Sequence, residues 1–139
     1  MKRNHTYLCG PIEGLTHKQQ TEWRDIATSS LANCDIATLD PCRRVNFVLD
    51  KSPNAANRVF KCDLQDIANS TVILANLTDS LPGKKWGSVA EVAHAHTHNK
   101  IIIVIIDKDQ FHHPFITSYA TEIHYTLDDA IAAVTEYYL

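Results

Sequence analysis

At 139 residues, with 45% hydrophobic and 21% charged residues, the chain has the size and composition of one soluble globular domain. A formal net charge of −3, with no basic run longer than a pair, argues against duplex DNA or RNA as a partner. The longest apolar run, Ile101 to Ile106, is too short to span a bilayer, so no membrane partner is expected.

Thr6-Tyr7-Leu8-Cys9 reads as a first buried strand ended by Gly10-Pro11. A helical pattern follows from about Thr16, a good N-cap, to Ala32, with Trp23, Ile26, Ala27 and Leu31 as its inner face. Asp35 to Leu39 is a second strand, stopped by Asp40-Pro41. Residues 43 to 57 read as irregular, with a turn signal at Ser52-Pro53-Asn54 and a locally basic set of Arg43, Arg44, Lys51 and Arg58. Helix resumes at about Ala55 or Arg58 and ends at Asn69, with Phe60, Leu64 and Ile67 on one side. Thr71 to Asn76 is strand three, and Thr78 to Lys85 is a polar loop. The next helix runs from about Ser88 to His98, and Ile101 to Ile106 is strand four. Asp107 to His113 is a loop, Pro114 opens a short helix, and Glu122 to His124 is a short fifth strand. Leu127 to Tyr138 closes the chain as a helix, with Leu127, Ala130, Ile131 and Val134 facing inward.

Strands that alternate with helices, and are apolar throughout, imply a parallel sheet covered on both faces. Right-handed crossovers then predict a small doubly wound, flavodoxin- or Rossmann-like α/β domain of five strands in the order 2-1-3-4-5. Its switch point lies between strands one and three. The loops after Cys9 and after Asn76 should therefore line the ligand crevice.

Cys9, Cys34, Cys42 and Cys62 form no C-x-x-C pair and no zinc-ligand spacing. They read as reduced, mostly buried thiols of a cytoplasmic protein. Met1-Lys2-Arg3 is basic, but a strand follows it rather than an apolar helix with a cleavage site, so no signal peptide is expected.

Several groups could carry chemistry. In Gly87-Ser88-Val89-Ala90-Glu91, a glycine-serine turn opens a helix and sets a carboxylate near the carboxyl edge of the sheet, as base or nucleophile. Glu91, His94 and His98 share a helical face and could in principle bind a metal. No second ligand set of matching spacing accompanies them, so neither metal nor cofactor is expected. Gly10 and Gly14 allow close approach of a ligand, although Cys9 to Gly14 is not a dinucleotide fingerprint. Asp63 and Asp66, at i and i+3, share a face whose spacing reads first as a solvated acidic surface, with Asp63 the nearer of the two to the ligand edge. Lys84-Lys85 beside a helix start could hold an anion.

These segments together resemble the nucleoside 2-deoxyribosyltransferase family, including its nucleotide-hydrolysing relatives. The matching pieces are Tyr7 to Ile12, Trp23-Arg24, Leu39 to Arg44, Asp63 to Ile67, Ser70 to Asn76, Gly87 to Glu91 and His113 to Phe115, in the family's order along nearly the whole chain. The resemblance implies that Glu91 is a catalytic nucleophile, that Tyr7 orients it, and that Asp63 meets the nucleobase. It implies that Gly10, Pro11 and Ile12 flank the sugar and base, with Gly87 and Ser88 beside the nucleophile. Ser88 replaces a more usual threonine and keeps a hydroxyl. Thr71 stands where an aspartate is frequent. Lys85, six residues before Glu91, departs from the family's aspartate or serine, and its charge suits a 5′-phosphate.

The implied activity is transfer of deoxyribose from a 2′-deoxynucleoside to another nucleobase, through a covalent intermediate on Glu91. Hydrolysis of nucleoside 5′-monophosphates is the alternative, and a non-catalytic nucleotide-binding module is a third reading, because fold does not fix function. The implied partners are a nucleoside or nucleotide and a free nucleobase, with no cofactor. The family also implies a homo-oligomer.

Overall fold

The structure, a computed structural model, describes residues 4–44 and 52–139. Five strands form one parallel sheet in the order β2-β1-β3-β4-β5. They are β1 His5–Cys9, β2 Ala37–Leu39, β3 Val72–Asn76, β4 Ile101–Ile105 and β5 Glu122–His124. The helices are α1 His17–Ala32, α2 Pro53–Ala68, α3 Trp86–Thr97, α4 Pro114–Tyr119 and α5 Leu127–Glu136, and a 3-10 turn covers Pro41–Arg44. The predicted doubly wound α/β class and strand order are therefore the observed ones. No helix among the described residues is long and apolar enough to cross a membrane.

Strand side chains alternate between faces, so each strand feeds two cores. Leu8, Val72, Leu74, Ile103 and Ile105 pack against α1 and α5 through Trp23, Ala27, Leu31, Ala130, Ile131 and Val134. Tyr7, Cys9, Ile73, Ala75, Ile102 and Val104 point the other way, against Ile67 of α2 and Val92 and Ala95 of α3. This parity matters for the site, because it sends Tyr7 and Cys9 to the face that carries α3.

Several expectations are corrected. The helix expected from Ala55 or Arg58 begins at Pro53. Ser52 is its N-cap, accepting from the Ala55 amide, and Pro53 occupies the first turn, where a missing amide hydrogen costs nothing. The part of the irregular 43–57 segment that spans 45–51, with Lys51, lies outside the described residues. Asp35 belongs to a turn with φ 59°, not to β2. Ile26 is exposed, and its place inside α1 goes to the fully buried Arg24. Thr16 does cap α1, in a reciprocal pair with Gln19. Of the four free thiols only Cys9 is buried; Cys34 is exposed and the other two lie between. Tyr137 and Tyr138 pack on the core, while the terminal Leu139 is exposed.

Candidate active site

A cavity of about 420 Å³ opens at the carboxyl edge of the sheet, beside the switch point between β1 and β3. The loop after β1 supplies Gly10, Pro11, Ile12 and Glu13 to it. The segment after β3 supplies Lys84, Gly87, Ser88, Ala90, Glu91 and His94, and α2 supplies Val59, Phe60, Asp63 and Leu64. A larger hollow of about 570 Å³ lies beside the amino ends of β1, β3 and β4. That is the edge where open α/β sheets do not bind ligands, so the carboxyl-edge cavity is the candidate site.

Glu91 is its chemical centre. The fully buried Tyr7 donates its hydroxyl to Glu91 Oε2 at 2.5 Å. On the same strand face the Cys9 thiol lies 3.7 Å from Glu91 Oε1 and 3.5 Å from the Ser88 carbonyl. Burial pushes the Glu91 carboxyl up to about 7, against the Tyr7 hydrogen bond, which lowers it. Burial, followed by the charge of Glu91, holds the Tyr7 phenol protonated far beyond its ordinary range. A carboxylate at such a value is ionised in about half of the molecules at neutral pH, and it carries the Tyr7 hydroxyl on one oxygen and the Cys9 thiol on the other.

Gly87 lies in the first turn of α3, not in a turn before it, since the helix begins at Trp86. A Cβ at Gly87 would meet nothing within 4 Å, so this glycine leaves open space over the cavity. Gly10 is different. A Cβ there would come within 2.8 Å of the Trp23 ring and 3.3 Å of both Arg24 Nη2 and the Asn76 carbonyl. Arg24 donates to the Gly10 carbonyl at 2.9 Å and to the Gln20 carbonyl at 2.7 Å, tying the loop to α1.

Asp63 faces the same cavity from α2. Arg44 donates to Asp63 at 2.6 Å and to Asp66 at 2.5 Å, and Arg43 reaches Asp66 at 2.7 Å. The acidic pair is therefore a partly buried ionic network, not a solvated face. Burial raises the Asp63 carboxyl to about 6, with Arg44 opposing. His94 also lines the cavity; burial, then the neighbouring His98, lower its imidazole. Its ring lies 4.2 Å from that of His98, and among the described residues no group of three or more His, Cys, Asp or Glu is placed to hold a metal.

The structure brings together Glu91, Tyr7, Asp63, Gly10, Pro11, Ile12, Gly87 and Ser88. It does not bring in Asn76 or Lys85. The Asn76 side chain turns back to accept from the Thr78 hydroxyl at 2.9 Å and amide at 3.3 Å. Lys85 donates to the Leu81 carbonyl at 3.1 Å and pairs with Asp79 at 3.7 Å, outside the cavity. The cation at the cavity is its neighbour Lys84, which pairs with Glu13 at 3.2 Å. Sequence reasoning missed Glu13 and the Cys9 thiol as site groups, and took Lys84 only as half of a basic pair that could hold an anion. Strand parity with Tyr7 was the available signal for Cys9.

No family model matches the sequence, and a search of curated proteins finds no match. Solved structures do match. A 2-deoxyribosyltransferase from Bacillus psychrosaccharolyticus aligns over 94% of this chain and 95% of its own, with a TM-score of 0.74 at 18% identity. The fold is that of the 2-deoxyribosyltransferases. A second such enzyme, from Leishmania mexicana, aligns over 98% of this chain and 99% of its own, with a TM-score of 0.70 at 16% identity. A CMP N-glycosidase from Clostridium botulinum aligns over 94% and 98%, with a TM-score of 0.61 at 11% identity. The resemblance drawn from short motifs thus extends to the whole course of the backbone.

Proposed function

We propose that the protein is a nucleoside 2-deoxyribosyltransferase that works through a covalent glycosyl ester on Glu91. The observation that carries this reading is the Tyr7–Glu91 hydrogen bond of 2.5 Å, at a cavity whose other wall bears Asp63. Glu91, as carboxylate, attacks C1′ of a 2′-deoxynucleoside. The C1′–N bond breaks, and its electron pair leaves with the base. Protonated Asp63 donates a proton to that base. The oxocarbenium-like transition state is stabilised by the anion that then traps it. The missing 2′-hydroxyl makes that state easier to reach. A nitrogen of the incoming base then attacks C1′ from the face the first base left and displaces the Glu91 carboxylate, its proton passing to Asp63, which is thereby restored. Two inversions give net retention. Tyr7 and the Cys9 thiol hold the carboxylate in its attacking orientation.

Hydrolysis of a nucleoside 5′-monophosphate is the second reading, and the presence of Lys84 at the cavity favours it. An assay with a 2′-deoxynucleoside and a labelled free base separates the two. Label entering the nucleoside pool supports transfer. Free base released only from the monophosphate supports hydrolysis. Intact-mass detection of a deoxyribosyl adduct, lost in Glu91→Ala, tests the covalent step. Turnover by Glu91→Ala at the wild-type rate would remove Glu91 from the mechanism. A wild-type protein that binds nucleotide without turning it over is a binding module instead.

A further inference from the structure

Arg24 is fully buried, on the stripe of α1 that otherwise carries Trp23, Ala27 and Leu31 into the core. Burying a guanidinium is unfavourable unless the charge is paired and its donors are bound, and an apolar side chain often serves such a place better. Here the pairing is incomplete. Asp40 lies 3.4 Å from Arg24 Nε, and that nitrogen makes no hydrogen bond among the described residues. Stability alone does not account for an arginine at this position.

What the guanidinium holds is the loop after β1. Arg24 Nη2 donates to the Gly10 carbonyl at 2.9 Å, and a Cβ at Gly10 would stand only 3.3 Å from that nitrogen, so the charge rests directly on the loop main chain. Nη1 donates to the Gln20 carbonyl at 2.7 Å. Gln20 in turn donates from Nε2 to the Ile12 carbonyl at 3.1 Å and to the Leu15 carbonyl at 3.2 Å. Arg24 and Gln20, one helical turn apart, thus bind three carbonyls of the loop from the α1 side. On its other side the loop docks on the segment before α3. There the Lys84 amide donates to the Glu13 carbonyl at 3.0 Å, and a Cβ at Gly83 would come within 2.9 Å of that carbonyl. Gly10, Pro11 and Ile12 of the same loop line the cavity with Glu91.

We propose that Arg24 is a positioning residue: it holds the loop 10–15 from behind and so fixes the wall formed by Gly10, Pro11 and Ile12 relative to the nucleophile Glu91. This rests on the glycosyl-transfer reading and adds a residue to it. A misplacement of about 1 Å between reacting groups can cost about a hundredfold in rate, so a wall tied at three carbonyls serves the chemistry as well as the fold. The cation has a second consequence. Glu91 is faced by Tyr7 and Cys9 from β1 and by Asp63 from α2, and Glu13, Lys84 and His94 share the cavity lining. Burial raises the Glu91 carboxyl, and the charge of Arg24 is among the influences that lower it.

The experiment measures the Kd of 2′-deoxyadenosine and 2′-deoxycytidine on Glu91→Gln protein, and the pH profile of kcat/KM in proteins that retain Glu91. Arg24→Met is made together with Asp40→Asn, so that neither charge is left alone. This pair should raise Kd about tenfold and move the acidic limb of the profile to higher pH. Arg24→Lys keeps the charge but not the fork, so Kd should rise about threefold with the limb unmoved. Gln20→Ala should also raise Kd with the limb unmoved. Added to the Arg24→Met pair it should cost less than about twofold more, because both act on one loop. Glu22→Gln, on the exposed face of α1, should change neither quantity. A role in folding alone lowers the active fraction and leaves Kd and the limb in place. An unchanged Kd in Arg24→Met with Asp40→Asn overturns the proposal. If that protein does not fold, an unchanged Kd in both Gln20→Ala and Arg24→Lys overturns it. The expected rise in Kd, in a protein whose wild type turns nothing over, would instead remove the glycosyl-transfer reading and leave the positioning of the loop standing.

Discussion

Replacing Tyr7 by phenylalanine deletes one hydroxyl at the bottom of the cavity and leaves the ring in its packed place. The lost interaction is a donor to a carboxylate at 2.5 Å. Hydrogen bonds to charged groups contribute about 1.5–3 kcal/mol, and one pKa unit is about 1.4 kcal/mol. Glu91, already near 7, should therefore rise by about one to two units in Tyr7→Phe. Only the ionised carboxylate attacks C1′. At pH 7 the ionised fraction falls from about one half to between about one tenth and one hundredth, a loss of roughly 5- to 50-fold. At pH 9 both proteins are largely ionised, and the difference should shrink to about twofold or less. The measurement is kcat/KM for a 2′-deoxynucleoside from pH 5.5 to 9.5, expressed as the ratio of wild type to Tyr7→Phe. The ratio cancels any common dependence on Asp63. A constant ratio across that range would refute the reasoning, because it would mean that Tyr7 acts by geometry alone and leaves the proton affinity of Glu91 unchanged.

Three further outcomes follow from the same contacts. Glu91 binds its proton more tightly folded than unfolded, so the stability it contributes at low pH is lost as pH rises from 4.5 through about 7. Glu91→Gln should abolish turnover yet add up to about 3 kcal/mol of stability at pH 8 and none at pH 4, read by urea unfolding at both values. Arg44→Met strips a cation from the buried Asp66, which keeps Arg43, and from the half-buried Asp63, and should cost about 3 kcal/mol at pH 8, with a smaller loss in an Asp63→Asn background. An equal loss in both backgrounds would show that Arg44 does not stabilise the fold through Asp63. Gly83→Ala should undock the Glu13 loop and raise KM for the nucleoside about tenfold while costing only about 1–2 kcal/mol in thermal unfolding. Unchanged kinetics would separate the loop contact from substrate binding.

The sheet was legible because each central strand is an uninterrupted apolar run, and such runs alternating with helical patterns admit few topologies. What escaped was the chemistry of the element ends. Ser52-Pro53 serves equally to make a turn and to cap a helix, and only the residues beyond it choose. Trp86-Gly87 reads as a loop because glycine weakens helices, yet in the first turn the cost is small and the open space is kept. Arg24 broke the apolar stripe of α1, and nothing nearby in sequence announces the Gly10 carbonyl that receives it.

The site divides along the same line. Glu91 was legible in its own segment, a glycine-serine turn opening a helix after β3, whereas Tyr7 and Asp63 entered through the resemblance to the family; the structure brings the three together. Charge pairing has no such local signal. Asp63 and Asp66 read as a wet face because Arg44, their partner, comes from 19 and 22 residues away. Lys84 and Lys85 are equivalent as letters, yet successive side chains in an irregular loop take unrelated directions. One lines the cavity and the other pairs with Asp79. The question that Lys85 raised about a substrate phosphate therefore moves to its neighbour. Lys84 lines the cavity and is paired there with Glu13, a carboxylate of the same lining, so a phosphate would have to compete with that carboxylate for the lysine.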